Sequence, residues 1–299
     1  MSAADRSPGR ARVGCSGWLY RDWRRIVYPD GLPTSRWLPQ YTSMFSTVEL
    51  NSTFYRLPRS STVSGWAEAV PPGFVFALKM GAFGSHRMKL RDAEWWLPNH
   101  VGAFELLGDH LGPTLVQLPP RWRRNVGRLD EFLAATPPGQ RWAVELRERS
   151  WLDDDVFDVL RRHGAALCIH DLLESHPFVL TTPWTYVRFH GPDARERPYR
   201  GRYGGRRLWR MADKMSEVLE QGGDVYCYFN TDYEGHAVVE RERRRETDQT
   251  PADNDDRRRR HGPDATGALG RRPSARRARR RVGPPTTWRR RRRAPRSRC

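Results

Sequence analysis

The feature of this chain that most constrains its fold is a series of eight short apolar or β-branched runs, nearly all of which end in a polar or charged residue. The runs are Arg12–Ser16, Thr47–Asn51, Phe74–Lys79, Thr114–Leu118, Trp142–Leu146, Ala165–His170, Trp184–His190 and Asp224–Asn230. Runs of this length, separated by amphipathic stretches, are typical of parallel strands joined by crossover helices. Eight such units predict an α/β fold, a (β/α)8 TIM-like barrel with a closed parallel sheet, whose chemistry lies at the C-terminal ends of the strands.

Alternation along the strands predicts which polar side chains face the barrel interior. Successive side chains point to opposite faces of a strand, so Glu49 and Asn51 share one face. The same spacing pairs Glu145 with Arg147 and Arg188 with His190. Four further strand ends can be placed on this face without breaking the pattern: Lys79, Gln117, His170 and Asn230. We therefore expect a ring of acids, bases and amides at the mouth of the barrel.

The stretches between the runs predict helices of unequal length. The expected helices are Thr34–Phe45, Ser60–Ala69, Ala93–Leu111, Leu129–Ala135, Asp153–His163 and Leu208–Gln221. The segment between His170 and Trp184 has little room for a full helix, so a degenerate crossover is expected there. An eighth helix would begin near Ala237 and would be polar all round.

The distribution of charge divides the chain. The net charge is +18, but residues 241–299 contain 22 Arg, no Lys and 7 acidic residues. Residues 1–240 contain 31 basic and 28 acidic residues and are nearly neutral. We predict a flexible N-terminus over 1–11, the barrel over 12–240 and an Arg-rich tail, rich also in Pro, Ala and Gly, over 241–299.

Three interpretations of the tail stay open. It has too few apolar residues to offset the entropy cost of ordering. It is then a disordered arm that binds nucleic acid through its Arg residues, a solvated tail with no partner, or the product of a shifted reading frame in a GC-rich gene. The third is favoured, because the composition changes abruptly where the last helix of the barrel is expected.

Compartment and cofactors are constrained by what the sequence lacks. The N-terminus has no apolar core of the length a secretory signal needs, and no run approaches a membrane span. Four cysteines show no metal spacing, and three of them, Cys15, Cys168 and Cys227, lie in predicted strands as free buried thiols. We expect a cytoplasmic protein with no membrane partner and assign no cofactor, because no nucleotide-binding glycine motif is present.

Several segments carry a resemblance to a known family. They read GCSGWLYRDWRRIVYP, VELNSTFYRLP, FVFALKM, LVQLPPRW, AVELRERSW, YVRFHGP and YCYFNTDYEGHA. Over about residues 12–238 the chain resembles the YecE-like family, the domain of unknown function numbered seventy-two. The resemblance implies a TIM-like barrel of unestablished activity. Thr231 follows Asn230 where family members usually have a second Asn, and the usual helix rich in Ala, Asn and Leu does not follow Ala237.

The first functional hypothesis is an enzyme or binder for a phosphorylated or carboxylated small molecule at the barrel mouth. Lys79, Arg147 and Arg188 would contact the anion. Glu49 and Glu145 are the candidate catalytic acid and base, and His190 would shuttle protons near neutral pH. The remaining candidate binding residues are Asn51, Tyr55, Gln117, Asn230 and Asp232. The alternative for each Glu–Arg combination is a buried ion pair that only fills the barrel.

Two other hypotheses stay open. Metal-assisted phosphoester hydrolysis would draw ligands from Glu145, His170, Asp171, His190, Asp232 and His236, but no HxH or HExxH spacing supports it and we assign no metal ligand. Non-catalytic nucleic-acid binding would use the Arg-rich tail or the basic loop RPYRGRYGGRR after the seventh strand. Histidines 86, 100, 110, 163, 176 and 261 are predicted to be ordinary surface residues.

Overall fold

The computed structural model describes residues 7–196, 199, 201 and 203–230. Eight parallel strands lie in this part of the chain: β1 Ala11–Cys15, β2 Thr47–Leu50, β3 Val75–Lys79, β4 Leu111–Gln117, β5 Trp142–Glu145, β6 Ala166–His170, β7 Thr185–Phe189 and β8 Val225–Phe229. Their hydrogen-bonded order is β1-β8-β7-β6-β5-β4-β3-β2. The TIM-like barrel predicted from the apolar runs is confirmed.

The circle closes at a seam between β1 and β2, where a tyrosine replaces part of the ladder. The Tyr41 hydroxyl accepts the backbone N–H of Cys15 at 2.8 Å and donates to the carbonyl of Thr47 at 2.9 Å. Gly14 faces the same carbonyl so closely that an added Cβ would lie 2.2 Å from the Thr47 oxygen. The seam therefore depends on a hydroxyl bridge and on a residue without a side chain.

Strand alternation separates two apolar layers. Small and aromatic side chains fill the inside of the barrel together, with Ala77, Ala143 and Ala166 on one side and Tyr186 and Tyr228 on the other. The residues between them along the strands pack outward against the helices, among them Val48, Leu50, Val144, Leu146, Val187 and Phe189. A filled interior of this kind leaves the C-terminal mouth as the place for chemistry.

The six described α-helices are α1 Trp37–Thr42, α2 Ser60–Glu68, α3 Ala93–Gly102, α4 Val126–Ala134, α5 Asp154–Arg162 and α6 Gly205–Glu220. The prediction of one helix over Ala93–Leu111 is wrong. α3 ends at Gly102, a 3-10 segment follows over Glu105–His110, and Leu111 begins β4. The helix does not continue because Phe104, with φ −118° and ψ 3°, leaves the helical region directly after it. Gly108, with φ 49° and ψ −126°, then interrupts the 3-10 segment in a conformation that glycine adopts readily.

The crossover from β6 to β7 is the degenerate one that the sequence predicts. Residues 171–184, all described, form neither helix nor strand. The Thr181 hydroxyl accepts from the N–H of Leu167 at 2.8 Å and donates to the carbonyl of Ala165 at 2.7 Å, which satisfies backbone groups that have no strand partner there. Without a helix in this crossover, a cleft stays open between β6, β7 and α6.

None of the described helices combines the length and the apolar character that a membrane crossing requires. The predictions for Asp232, for the helix near Ala237 and for the Arg-rich segment 241–299 fall outside the described residues.

The seam geometry generates a stability prediction. We expect Gly14→Ala to lower the free energy of unfolding by about 1–3 kcal/mol, because the new methyl group meets backbone that cannot rotate away. The matched control is Gly65→Ala in α2, where an added Cβ meets nothing within 4 Å. That change should be neutral or stabilise by up to about 1 kcal/mol. Urea unfolding of both variants measures the difference, and equal midpoints would contradict the seam interpretation.

Candidate functional site

Polar side chains from all eight strands meet at the C-terminal mouth of the barrel. We call the following set the mouth ring: Ser16, Asn51, Lys79, Gln117, Arg147, His170, His190 and Asn230. Each is the last residue of its strand or follows it by one or two positions. The structure thus brings together the candidate residues that strand alternation placed on the inward face, and adds Ser16, which the sequence reasoning missed.

Beneath the mouth ring lies a fully buried cluster of three charges. The Arg188 guanidinium donates to Glu49 at 2.8 Å through one nitrogen and to Glu145 through the other. All three side chains have no exposed surface. Arg147 donates to the second oxygen of Glu145 from above. One guanidinium therefore bridges the two carboxylates, as its fork geometry allows.

Hydroxyl groups complete the coordination of Glu49. Tyr186 donates to one carboxylate oxygen at 2.6 Å and Ser16 to the other at 2.7 Å. Burial alone would raise the pKa of Glu49, but the charge of Arg188 and then these two donors outweigh it and lower the pKa. Glu49 is therefore ionised at neutral pH and holds its position through several hydrogen bonds.

Glu145 is ionised for a related reason. Burial opposes its charge, but the guanidinium groups of Arg147 and Arg188 hold its pKa well below the usual range. A general acid must carry a proton at the working pH. The acid and base roles of Glu49 and Glu145 stay predictions, and the geometry favours a different role for both: holding the arginines in place.

Lys79 differs from the two arginines in having no carboxylate partner. No described carboxylate lies within 4.0 Å of its ammonium group, which sits 4.3 Å from the centre of the Phe54 ring. Burial, followed by the charge of Arg188, lowers the pKa of Lys79 to about 8. The amine thus titrates close to physiological pH.

His190 belongs to a hydrogen-bonded chain with Asp171 and Tyr203. Asp171 Oδ1 lies 3.1 Å from His190 Nδ1 and 2.9 Å from the His190 backbone nitrogen, and Tyr203 donates to Oδ2. This arrangement favours the tautomer with the proton on Nδ1. Burial and the charge of Arg188 outweigh Asp171 and lower the pKa of His190, so Nε2, which lies 3.5 Å from Arg147, is a neutral proton acceptor.

His170 uses both ring nitrogens within the protein. Nδ1 accepts the backbone N–H of Leu172 at 3.2 Å, and Nε2 lies 2.8 Å from the carbonyl of Leu146, to which it donates. Burial lowers the pKa of His170 to about 4. A neutral imidazole with both nitrogens engaged has no lone pair left for a metal ion. Among the described residues, no group of three or more His, Cys, Asp or Glu side chains is arranged to hold one.

Two amide oxygens in the mouth ring accept no hydrogen bond from the described residues. They are Oδ1 of Asn51 and Oε1 of Gln117, both buried. The Asn51 amide nitrogen donates to the carbonyl of Ser16 at 3.2 Å, which fixes the orientation of the group. Buried acceptors of this kind suit a ligand that carries hydroxyl or amine donors.

Two cavities adjoin the mouth ring. Tyr55, which is 84 % exposed, borders a cavity of about 240 Å³ that Ser16 and Asn51 also line. A larger cleft of about 570 Å³ lies where the β6–β7 crossover lacks a helix, and it reaches His170, Asp171 and Arg188. Its outer wall contains four basic side chains, Arg195, Arg207, Arg210 and Lys214, and one acidic side chain, Glu174, which pairs with Arg195 at 3.1 Å.

The sequence reasoning missed several residues of this site. Asp171 was considered only as a metal ligand, and Tyr203 was not singled out, because a loop brings it to the mouth. The interpretation of His100 as a surface residue is wrong, and His176 is half-buried. His100 is buried against Phe104, and His176 packs on His170 with ring centres 4.3 Å apart. Apolar residues close in the sequence, Val101 next to His100 and Phe178 near His176, could have indicated that these histidines are not fully exposed.

Comparisons with known proteins agree with the fold. A family model described as "Protein of unknown function DUF72" matches residues 12–258. YunF of Bacillus subtilis is 27% identical over 268 residues, which cover 76% of this chain and 90% of YunF. YecE of Escherichia coli K12 is 29% identical over 136 residues, so that 45% of this chain matches 47% of YecE, about half of its length.

Solved structures give the same fold. A DUF72 family protein from Thermotoga maritima superposes with a TM-score of 0.72 at 26% identity, covering 81% of this chain and 100% of that one. A second, from Enterococcus faecalis, has a TM-score of 0.65 at 18% identity and covers 78% and 94% of the two chains. The second likeness concerns the fold alone.

The buried charge cluster predicts that removing its arginine destabilises the protein much more than removing an exposed arginine does. Arg188→Met leaves two carboxylates buried without their cation, and we expect a loss of about 3–5 kcal/mol in the free energy of unfolding. The control is Arg161→Met, which breaks the exposed pair with Asp158 and should cost no more than about 1 kcal/mol. Denaturant unfolding compares the two, and losses of the same size would argue against a buried ionic cluster.

The neutral histidines predict a loss of stability in mild acid. Burial lowers the pKa of His100 and His170 to about 4, while their unfolded-state pKa is about 6.5. Their contribution is complete above pH ~6.5 and is lost as the pH falls toward 4, because the unfolded chain takes up protons first. Each histidine contributes up to about 1.4 kcal/mol per pH unit to this slope.

Unfolding measured from pH 7 to pH 4.5 tests this, with His100→Gln as the variant. The slope of the free energy of unfolding against pH should decrease by about one proton in that variant. An unchanged slope would show that His100 does not stay neutral in the folded protein.

Proposed function

The chain belongs to the DUF72 family of proteins of unknown function, and we propose that its barrel mouth binds a small phosphorylated or carboxylated molecule that also carries hydroxyl groups. The observation that supports this most is the imbalance of charge at the mouth. Four basic side chains lie near three carboxylates, and each carboxylate already has an arginine within 4.0 Å. The bases are Lys79, Arg147, Arg188 and Arg207, and the acids are Glu49, Glu145 and Asp171. The excess positive charge lies on the upper, ligand-facing side.

Arg147 is the residue best placed to contact the anion. Its side chain is partly exposed, and Glu145 engages it through Nε. Neither terminal nitrogen has a carboxylate partner among the described residues, and one of them lies 3.5 Å from His190 Nε2. A guanidinium held by one edge can present its other edge to a phosphate or carboxylate.

Other parts of the mouth suit the rest of such a ligand. The carbonyl oxygens of Asn51 and Gln117 can accept from ligand hydroxyl groups. The basic wall of the larger cleft extends the positive potential outward, and a positive cleft with low-dielectric walls raises the local concentration of anions.

The metal-assisted alternative is less well supported by the described geometry. Both oxygens of Glu145 receive arginine donors, and both nitrogens of His170 are engaged by backbone groups. The neighbouring guanidinium charges also oppose a divalent cation. The nucleic-acid alternative depends mainly on the Arg-rich segment 241–299, which lies outside the described residues.

We also propose a cytoplasmic location. The Cys168 thiol is buried and forms no disulfide, the usual state of cysteine in a reducing compartment. Fractionation with an antibody to the full chain tests this, and recovery in an extracellular or periplasmic fraction would contradict it.

A thermal-shift panel on the full chain tests the anion proposal. The ligands are sugar phosphates, hydroxycarboxylic acids, inorganic phosphate and a short oligonucleotide. A specific anion at about 100 times its Kd should stabilise the protein by about 2.7 kcal/mol, or roughly 5–10 °C in melting temperature.

Matched arginine variants identify the site. Arg147→Gln should abolish the shift, whereas Arg149→Gln, which removes an exposed charge from the same loop, should leave it intact. Stabilisation by the oligonucleotide alone, falling steeply with salt, would instead favour nucleic-acid binding. A shift that survives in Arg147→Gln would contradict the proposed site.

A further inference from the structure

Lys79 is chemically unusual for this chain. Of 53 basic side chains other than histidine, 50 are Arg and only three are Lys: Lys79, Lys89 and Lys214. Arg supplies nearly every positive charge in the protein, including both guanidiniums at the mouth. Since Arg cannot be deprotonated in proteins and Lys can, a lysine in this one inward position supplies a reactivity that Arg lacks.

The position of Lys79 is well defined by its surroundings. It ends β3, and its carbonyl accepts from the buried Thr53 hydroxyl at 2.7 Å, which anchors the backbone at the mouth. The ammonium group sits over the Phe54 ring, whose face His86 contacts edge-on at 4.9 Å between centres. By contrast, Lys89 and Lys214 are exposed, and Lys214 belongs to the outer wall of the cleft.

Among the described residues, no carboxylate forms an ion pair with the Lys79 amine. Glu49 and Glu145 could neutralise an ammonium group, but Arg188 and Arg147 already bind them. Burial, and then the positive charge of Arg188, oppose protonation and lower the pKa of Lys79 to about 8. A lysine desolvated beside other cations is the arrangement that activates an amine for attack on carbonyl groups.

We propose that Lys79 is a nucleophilic amine that forms an imine with an anionic aldehyde or ketone whose phosphate or carboxylate is held by Arg147. The inference rests on the proposed anion site and names its substrate class. It assigns to Lys79 the role of a catalytic residue, since its nitrogen bonds to the reacting carbon.

The step balances without any further reactant. The lone pair of Lys79 Nζ forms a bond to the carbonyl carbon, and the carbonyl π electrons move to the oxygen. The oxygen then receives two protons, one from the nitrogen and one from the medium. The C–O bond breaks, water leaves, and the protonated imine forms. The neutral His190 Nε2, near Arg147 and oriented by Asp171, is the group available to accept a proton from the adjacent carbon of the imine.

Reductive trapping on the full chain tests the proposal. Pyridoxal 5′-phosphate is the probe, because it joins an aldehyde to a phosphate, and borohydride fixes any imine as a stable amine. Peptide mass spectrometry then measures modification of each lysine. We expect Lys79 to be modified about tenfold faster than Lys89 and Lys214 at pH 7.5, despite its burial, because far more of its amine is unprotonated.

Two variants and one competitor complete the design. Lys79→Arg keeps the positive charge but removes the nucleophilic amine, and should lose the fast modification. Lys89→Arg, at an exposed lysine outside the mouth, should change neither the fast modification of Lys79 nor the anion-induced stabilisation. Inorganic phosphate should slow modification of Lys79 but leave that of Lys89 unchanged.

The outcomes separate the two proposals. If Lys79 reacts no faster than the two exposed lysines while anions still stabilise the protein, the nucleophile is overturned and the anion site stands. If Lys79 reacts fast, but equally with pyridoxal lacking the phosphate and without competition from phosphate, the amine is reactive and the Arg147 anion site is overturned, and the proposed substrate class with it.

Discussion

The interaction on which the rest of this structure depends is the contact of one buried guanidinium, Arg188, with two buried carboxylates, Glu49 and Glu145. Removing three charges from water costs more than their mutual attraction usually returns, so such a cluster is weak evidence for stability as such. It does impose geometry, because each carboxylate must find its donors in one arrangement. The cluster therefore fixes the relative positions of β2, β5 and β7, because these strands must keep their register for it to form.

Two consequences follow above and below the cluster. Below it, Tyr186 donates to Glu49 and Tyr228 contacts Thr47 at 2.8 Å, so hydroxyl groups extend the polar network toward the β1–β2 seam. Above it, both acids already have arginine partners, and neither makes an ion pair with Lys79. The pairing that satisfies the barrel interior is therefore also the basis of the anion site proposed for the mouth.

The sequence could predict the parts of the fold and of the candidate site that depend on a regular alternation of side chains. The period of two in a strand is strict, so the inward placement of Lys79 and Arg188 could be read directly from the apolar runs. Asp171 and Tyr203 could not be linked to His190, because both lie in loops. Side chains in a loop do not alternate regularly, so their contacts cannot be predicted from spacing. The prediction of one long helix from Ala93 was wrong for a similar reason: the helix ends where the backbone of Phe104 leaves the helical region, which composition does not determine.

Whether Glu49 and Glu145 act as acid and base, or only hold the arginines, turns on which groups at the mouth can change charge near neutral pH. The carboxylates are held ionised by their partners, and the guanidiniums cannot lose a proton. His190 is neutral and oriented by Asp171, and Lys79 titrates near pH 8. We therefore propose that His190 exchanges protons and that Lys79 forms the bond to the ligand. The four charges of Arg147, Arg188 and the two glutamates set the field in which those two groups work, and none of these four has to react.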